Sequence, residues 1–192
     1  MATAYTNQTL FPNQPYTLNG VNYAPFACDI SKLVASFSGF VINDTVNLVR
    51  IPNRYMLVDF LVDYCALDSS TGVVTSLGDN GDSSHGGAGA GGFVAGLTLG
   101  RSSLTGQVRP GTLGVTSTPA AAAGTAWVHG AIPWIYSVPV ANEPSGGLYF
   151  MMKVTTAPTG TAATTGTIYG WIAYTALAPL ENGSGTGAVQ PL

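Results

Sequence analysis

The sequence predicts an all-β protein, an antiparallel β-sandwich of jelly-roll type with an extended N-terminal arm and a long glycine-rich loop. Short runs of strand-forming residues alternate apolar and polar side chains, and turn residues separate these runs without a long helical pattern. Charged residues make up only 8% of the 192 residues, and hydrophobic residues make up 46%. Ordinary globular proteins carry about 25% charged residues, which keep their surfaces soluble. We therefore expect partner molecules to cover much of this surface.

The small number of charges also excludes some partners. Six Lys and Arg residues and a net charge of −3 leave no basic stripe for nucleic acid. No apolar run approaches the roughly 18 residues that span a bilayer, and the N-terminus lacks the pattern of a secretory signal. We expect a protein made in a cytoplasm, without nucleic-acid or membrane partners. Cys28 and Cys65 are then expected to be reduced thiols that pack as small hydrophobic side chains.

Composition divides the chain into three regions. Residues 1–27 are rich in Asn, Gln, Thr, Pro and Tyr with irregularly spaced aromatics, which predicts an extended arm that orders on another surface. Residues 28–180 form the predicted sandwich, which is interrupted by a loop-rich insertion at 78–125. Residues 181–192 are glycine-rich and are predicted to form a flexible tail.

The strand pattern begins in the first third of the chain. Residues 29–37 fit either a short helix capped by Asp29 or a strand, and their β-branched and aromatic residues favour the strand. Residues 45–51 form a strand that ends at Pro52, since proline cannot continue a ladder. Residues 55–66 then alternate at period two. The face predicted to enter the core contains Val58, Phe60, Val62 and Tyr64, and the opposite face contains Leu57, Asp59, Leu61 and Asp63.

The C-terminal half resumes the same pattern. Residues 148–154 alternate apolar side chains with Tyr149 and Lys153, and Trp134 and Tyr136 stand at period two before them. Residues 164–176 form a last strand. One face of this strand is predicted to carry Ile168, Ile172 and Tyr174, and the other Thr167, Tyr169, Trp171 and Ala173.

The candidate catalytic and metal-binding residues lie in the glycine-rich loop. His85 stands close to Asp82 and two serines, but the members of a catalytic triad normally converge from distant segments. We therefore expect no catalytic residues, no enzymatic activity and no cofactor. Asp79, Asp82 and His85 offer oxygen and nitrogen atoms to a cation, but the glutamate of an EF-hand loop is missing. No resident metal is expected.

Five residues are predicted to bind a partner: Phe11, Tyr16, Tyr23, Asp59 and Asp63. The first three are aromatic side chains of the predicted arm. The two aspartates lie four residues apart on one strand, about 13 Å by the strand rise, too far to act alone as a catalytic carboxylate pair. They are expected to be solvated or to pair across a subunit interface. Three tryptophans and nine tyrosines either line a sugar-binding groove or, as we favour, pack in the core and in interfaces.

Several segments follow one another in a recognisable order. An acidic turn leads into a strand that ends in Ile-Pro at 43–52, and the alternating strand follows at 56–64. A turn at 67–72 that contains Asp68 then leads to a strand that ends in Leu-Gly at 77–78, and the last matching segment is the strand at 165–174. This order resembles that of the decoration or cement proteins of tailed-phage heads.

The resemblance implies a jelly-roll-like sandwich on the outside of a capsid shell. Such a virion structural protein would bind the major capsid protein, often as a homotrimer at local three-fold positions, and would stabilise the phage head. Two alternatives remain open. One is a head-fibre or tail-associated module that binds glycans or receptors, and the other is the capsid lattice protein itself.

Overall fold

Strands make up most of the described part of the chain. The computed structural model describes residues 4–6, 16–34, 40–53, 55–81, 89–102, 105–109, 134–136, 142–144 and 146–176. No helix in these ranges has the length and apolar character needed to cross a membrane. The elements are β1 (Ala4–Thr6), β2 (Tyr16–Leu18), β3 (Val21–Asp29), α1 (Ile30–Val34), β4 (Thr45–Arg50), β5 (Tyr55–Tyr64), β6 (Val74–Asp79), β7 (Val94–Leu97), β8 (Gly106–Val108), β9 (Trp134–Ile135), β10 (Tyr149–Thr156) and β11 (Thr167–Ala176).

The strands form two sheets that enclose the core. The five-stranded sheet has the order β1-β4-β10-β6-β7, and the six-stranded sheet has the order β2-β3-β11-β5-β8 with β9 also beside β5. Strand β3 pairs with β11, β4 with β10, β5 with β8 and β6 with β7, all antiparallel. Each of the strands β3 to β6 thus pairs with a strand from the later part of the chain, in reverse order. The chain is a long hairpin folded over into two sheets, which is the jelly-roll arrangement. The predicted all-β sandwich is confirmed.

Four phenylalanines lie at the centre of the core, where both sheets contribute. Phe60 and Phe150 have ring centroids 5.1 Å apart, and Phe93 stacks on Phe150 at 5.9 Å. Phe26 lies 6.4 Å from the same Phe150 ring. All four side chains are at most 3% exposed. Aromatic pairs of this kind contribute about 0.5–1.5 kcal/mol each beyond the burial of their surface.

The predicted alternation holds in β11 and fails at one point of β5. In β11, Ile168 and Ile172 are fully buried, as expected. In β5, however, Leu57 is buried and Val58 is only half-buried, the reverse of the prediction. The register between the two strands shifts here, from Ala173 opposite Asp59 to Tyr174 opposite Leu57. One extra residue in β5 therefore moves every side chain before it to the other face.

The predicted N-terminal arm of residues 1–27 is wrong for its second half. Strands β2 and β3 form a hairpin whose turn residues Asn19 and Gly20 both have positive φ, 50° and 78°, a conformation that Asn-Gly adopts readily. Strand β3 then pairs with β11 along its length and buries Phe26 and Cys28. The sandwich thus includes residue 16 onwards. Strand β1 pairs in parallel with β4, while residues 7–15, with Phe11, lie outside the described residues.

The strand favoured for residues 29–37 is also wrong, because β3 ends at Asp29 and helix α1 begins at the next residue. The Asp29 carboxylate accepts hydrogen bonds from the backbone N–H and the hydroxyl of Ser31. These bonds lower the pKa of Asp29, and the bond from the Ser31 hydroxyl has the largest effect. The helix buries Ile30 and Leu33 against the core. Hydrogen bonds from a side chain to the nearby backbone, such as those of Asp29, compete with the backbone pairing that would extend β3.

The described parts of the predicted insertion at 78–125 belong to the sandwich. Strands β7 and β8 lie in different sheets, and β6 continues through Gly78 to Asp79. Residues 89–92 lie against the outer side of β6, so that a Cβ at position 78 would meet the Gly89 carbonyl oxygen at 1.9 Å. Residues 82–88 and 110–133 lie outside the described part of the chain, as does the predicted tail at 181–192.

One buried aspartate joins three loops at the end of the sandwich. Asp68 is 1% exposed and accepts five backbone N–H groups, those of Ser70, Gly72, Val73, Thr159 and Gly160. Its own backbone N–H donates to the Gly100 carbonyl. Burial alone would raise the pKa of Asp68, but the amides outweigh it and lower the pKa below 3.8. The turn predicted at residues 67–72 is therefore held in place by its one aspartate.

We expect Gly78→Ala to destabilise the protein by about 2 kcal/mol or more, because the added methyl group overlaps the Gly89 backbone. Gly91→Ala is the matched control, since its Cβ has no contact shorter than 3.6 Å. Urea unfolding followed by tryptophan fluorescence measures both variants. Equal unfolding midpoints for the two variants would refute the close packing of residues 89–92 on β6.

We expect Asp68→Asn to lower the free energy of unfolding at pH 7 by about 3 kcal/mol, because one of the two acceptor oxygens is replaced by an NH2 donor that faces buried backbone N–H groups. The folded pKa lies below the ordinary value of 3.8, so the carboxylate stabilises the fold above that pH. Its contribution is lost as the pH falls through the folded pKa. Unfolding curves from pH 7 to pH 2 should show the two proteins converging in acid. If the free energies of unfolding of the two proteins differed by the same amount at every pH, the low pKa assigned to Asp68 would be wrong.

Candidate functional site

The outer face of the six-stranded sheet gathers aromatic, carboxylate and basic side chains. The register places three rows across β3, β11 and β5. These rows are Tyr23–Ala173–Asp59, Pro25–Trp171–Leu61 and Ala27–Tyr169–Asp63. Strand β8 extends the last row, since Gln107 lies opposite Asp63. We call this surface the aromatic face, and it comprises Tyr23, Pro25, Asp59, Leu61, Asp63, Gln107, Arg109, Tyr169 and Trp171.

Trp171 lies at the centre of the aromatic face and is held from two sides. The ring of Tyr23 contacts it edge-on, with centroids 5.5 Å apart and planes at 69°. The guanidinium carbon of Arg109 lies 5.4 Å from the Trp171 ring centroid. Arg109 Nη2 also donates to Asp59 Oδ2 at 2.6 Å. The pair is partly exposed, at 48% for Arg109 and 31% for Asp59, so its main effect is to orient the side chains.

Asp63 and Tyr169 form a second carboxylate and aromatic pair on the same face. Gln107 Nε2 donates to Asp63 Oδ2 at 3.0 Å. Tyr169 lies directly opposite Asp63 and is 51% exposed. Hydrogen bonding to the Asp63 carboxylate, followed by its negative charge, raises the pKa of Tyr169 above 10.0. The ring is therefore exposed to solvent while its hydroxyl interacts with the sheet.

An open depression of 430 Å³ adjoins the Tyr169 ring. It lies between β3 and β11, the two strands that supply its lining residues. Its volume falls in the range of small-ligand and side-chain sites, about 300–1,000 Å³. The lining residues are Pro25, Phe26, Ala27, Thr167, Tyr169 and Gly170.

Three of the five predicted partner-binding residues, Tyr23, Asp59 and Asp63, lie together on this face. The aspartates were expected to be solvated or paired across an interface; both are partly exposed, and each also accepts a hydrogen bond from a side chain of the chain itself. Tyr16 begins β2 opposite Tyr23, and its side chain lies outside the described part of the structure, as does Phe11.

Sequence reasoning missed six of the nine members of the aromatic face, namely Pro25, Leu61, Gln107, Arg109, Tyr169 and Trp171. The alternation of the last strand had placed Tyr169 and Trp171 on one face, and this was the available signal. Gln107 and Arg109 gave no signal, because they belong to or follow the three-residue strand β8 within a segment predicted as loop. Only the pairing of β8 with β5 brings them beside the aspartates.

The candidate metal ligands are only partly described. Asp79 is fully buried and accepts the backbone N–H groups of Gly81 and Gly89, both at 2.9 Å. It thereby joins the two ends of the glycine-rich loop, whereas Asp82 and His85 lie outside the described residues. No group of three or more His, Cys, Asp or Glu side chains within the described ranges is placed to hold a metal ion. The candidate cation site therefore stays a prediction from sequence.

The two cysteines of the described sandwich are free thiols. Cys28 is fully buried in β3, and burial raises its pKa to about 12. Cys65 is half-buried, and burial raises its pKa as well. Both pKa values lie above the range in which a thiolate forms at neutral pH, so the two side chains pack as small hydrophobic groups.

Comparison with known proteins gives little further information. No family model matches the chain, and no curated protein matches it. Among solved structures, a chain of the cyanophage Pam1 capsid asymmetric unit is 13% identical, with a TM-score of 0.44. The alignment covers 87% of this chain and 91% of that chain. A likeness of this degree carries no argument about function.

We expect Asp63→Asn to lower the pKa of Tyr169 towards 10.0, because the negative charge that disfavours the tyrosinate is removed. Gln107→Ala keeps that charge and should leave the pKa of Tyr169 raised. The tyrosine ring carbon signals, followed by NMR in alkaline titration and assigned with Tyr169→Phe, report the change. An unchanged pKa of Tyr169 in Asp63→Asn would show that the Asp63 carboxylate does not raise it.

Proposed function

We propose that this chain is a non-catalytic structural protein of a virion, a decoration or cement protein that binds the outer shell of a phage head. The observation that carries the proposal is the aromatic face. It is a partly exposed surface on the outer side of the six-stranded sheet, where aromatic and apolar side chains lie beside two carboxylates and an arginine. It occurs in a chain with 8% charged residues, whose surface is poorly suited to remain free in solution.

The composition of the aromatic face is that of a protein interface. Tyr, Trp and Arg are enriched among the residues that dominate binding energies at interfaces. Trp171 is held by Tyr23 and Arg109 before any partner arrives. Docking therefore orders few additional side chains, and less of the binding energy is offset by lost rotamer entropy.

The segments that resemble phage-head proteins occupy fold-determining positions. The acidic turn contains Asp44, which is 1% exposed and whose carboxylate accepts the backbone N–H of Val41 at 3.0 Å. The Ile-Pro corner follows β4, and the Ile51 backbone N–H donates to the Leu148 carbonyl. The turn at 67–72 contains the buried Asp68. Each of these three segments thus makes a contact that holds the sandwich together. Their positions in the fold support the proposal.

The proposed partners are the major capsid protein and further copies of the chain, assembled as a homotrimer on the capsid surface. Self-association is supported by apolar surface away from the aromatic face. Val41 and Ile42 are 49% and 56% exposed in the turn that enters β4, on the five-stranded sheet. Burial of such side chains contributes about 25 cal/mol per Å² of apolar surface before entropy losses.

We expect the double variant Tyr23→Ala and Trp171→Ala to bind undecorated phage heads at least tenfold more weakly than the wild type, because it removes the centre of the docking surface. Tyr149→Ala is the matched control, since Tyr149 lies on β10 of the other sheet. Co-sedimentation with heads measures binding, and circular dichroism checks that each variant is folded. Light scattering of the free protein reports whether it is a trimer.

A wild-type protein that does not bind heads would overturn the proposal. Binding to a purified host polysaccharide in the same preparation would then identify the glycan-binding alternative. Shell formation by the protein alone would identify the capsid lattice alternative.

A further inference from the structure

The aromatic face contains a carboxylate beside an aromatic ring twice. In the first instance, Asp59 and Trp171 are bridged by a guanidinium group of the chain itself. Arg109 pairs with Asp59 at 2.6 Å and lies over the Trp171 ring at 5.4 Å. Carboxylates and aromatic faces both attract guanidinium groups, so this arrangement satisfies two preferences of arginine at once.

In the second instance, Asp63 and Tyr169, no cation of the described residues bridges the carboxylate and the ring. The contacts of Asp63 are to the neutral side chains Gln107 and Tyr169. Within the described part of the chain, no Lys or Arg forms an ion pair with Asp63. A carboxylate has about four acceptor positions, so these two neutral contacts leave capacity for a further donor.

The space around the second pair suits a long side chain. Half of Tyr169 is exposed, and the open depression of 430 Å³ lies beside its ring. Pro25, Ala27 and Thr167 line this depression with mostly apolar surface. An aliphatic stem can lie on such a surface while its charged end remains at the carboxylate.

We propose that Asp63, Tyr169 and the adjoining depression form an anchor site for an arginine side chain of the protein partner. The inference rests on the proposed function, in which the aromatic face docks on a protein shell. The arginine would repeat at Asp63 and Tyr169 the contacts that Arg109 makes at Asp59 and Trp171. Its guanidinium would pair with the Asp63 carboxylate and contact the Tyr169 ring, and its stem would cover Pro25.

Arginine fits this site better than lysine. The planar guanidinium can donate two parallel hydrogen bonds to a carboxylate and can stack on an aromatic ring. It is also hydrated less strongly than an ammonium group, so docking costs less desolvation. Tyr169 is already oriented by its contact with Asp63, which reduces the entropy lost on binding.

The first test uses a small probe. The peptide acetyl-Gly-Arg-Gly-amide and its citrulline analogue, which is uncharged and nearly isosteric, are titrated into the full chain and followed by NMR of the Tyr169 ring. The arginine peptide should shift these signals saturably and bind at least tenfold more tightly than the citrulline peptide. Asp63→Asn should abolish the difference, while Gln107→Ala, which keeps the carboxylate, should retain it. Equal binding of the two peptides to the wild type would overturn the proposal.

The second test uses undecorated heads. Asp63→Asn should weaken head binding about tenfold and reduce its dependence on salt, because one ion pair is lost. Equal head binding by wild type and Asp63→Asn would refute the arginine site while the docking function stands. If the wild type does not bind heads but discriminates between the two peptides, the arginine site stands and the proposed function fails.

Discussion

Side chains of β11 point alternately into the core and out of the sandwich, and both the core and the aromatic face depend on this alternation. This strand lies between β3 and β5 and pairs with both along most of its length. Ile168 and Ile172 enter the core on one side, while Tyr169 and Trp171 form the outer face on the other. A shift of one residue would exchange the two sets. A change of register at this strand would therefore disrupt the aromatic face and the core together.

The scarce charges of the chain are partly used inside it. Three of the nine acidic residues, Asp44, Asp68 and Asp79, are at most 1% exposed. The carboxylate of each accepts backbone N–H groups in a loop. These carboxylates hold the ends of the sandwich together but contribute little to the solubility of its surface. The exposed surface is thus even poorer in charge than the composition indicates, which strengthens the argument for an assembled protein.

Sequence periodicity was sufficient for the fold class and for most strands, because burial of one sheet face imposes alternation on the residues themselves. It failed where local geometry intervenes. The extra residue at Val58 leaves no mark in the pattern. Asn19-Gly20 is a strong hairpin signal, but it stands within a segment whose composition predicts an extended arm. The aromatic face could be predicted only in part, since Arg109 reaches Asp59 through long-range pairing of β8 that no local pattern encodes.

The most direct test of the central claim is cryo-electron microscopy of phage heads decorated with this protein. The account predicts a jelly roll on the outer shell, with the six-stranded sheet facing the capsid and Tyr169 and Trp171 in the interface. The Asp63 carboxylate should face a basic side chain of the shell. A head that carries the protein with this sheet turned towards solvent, or a head that carries no added density, would contradict the account.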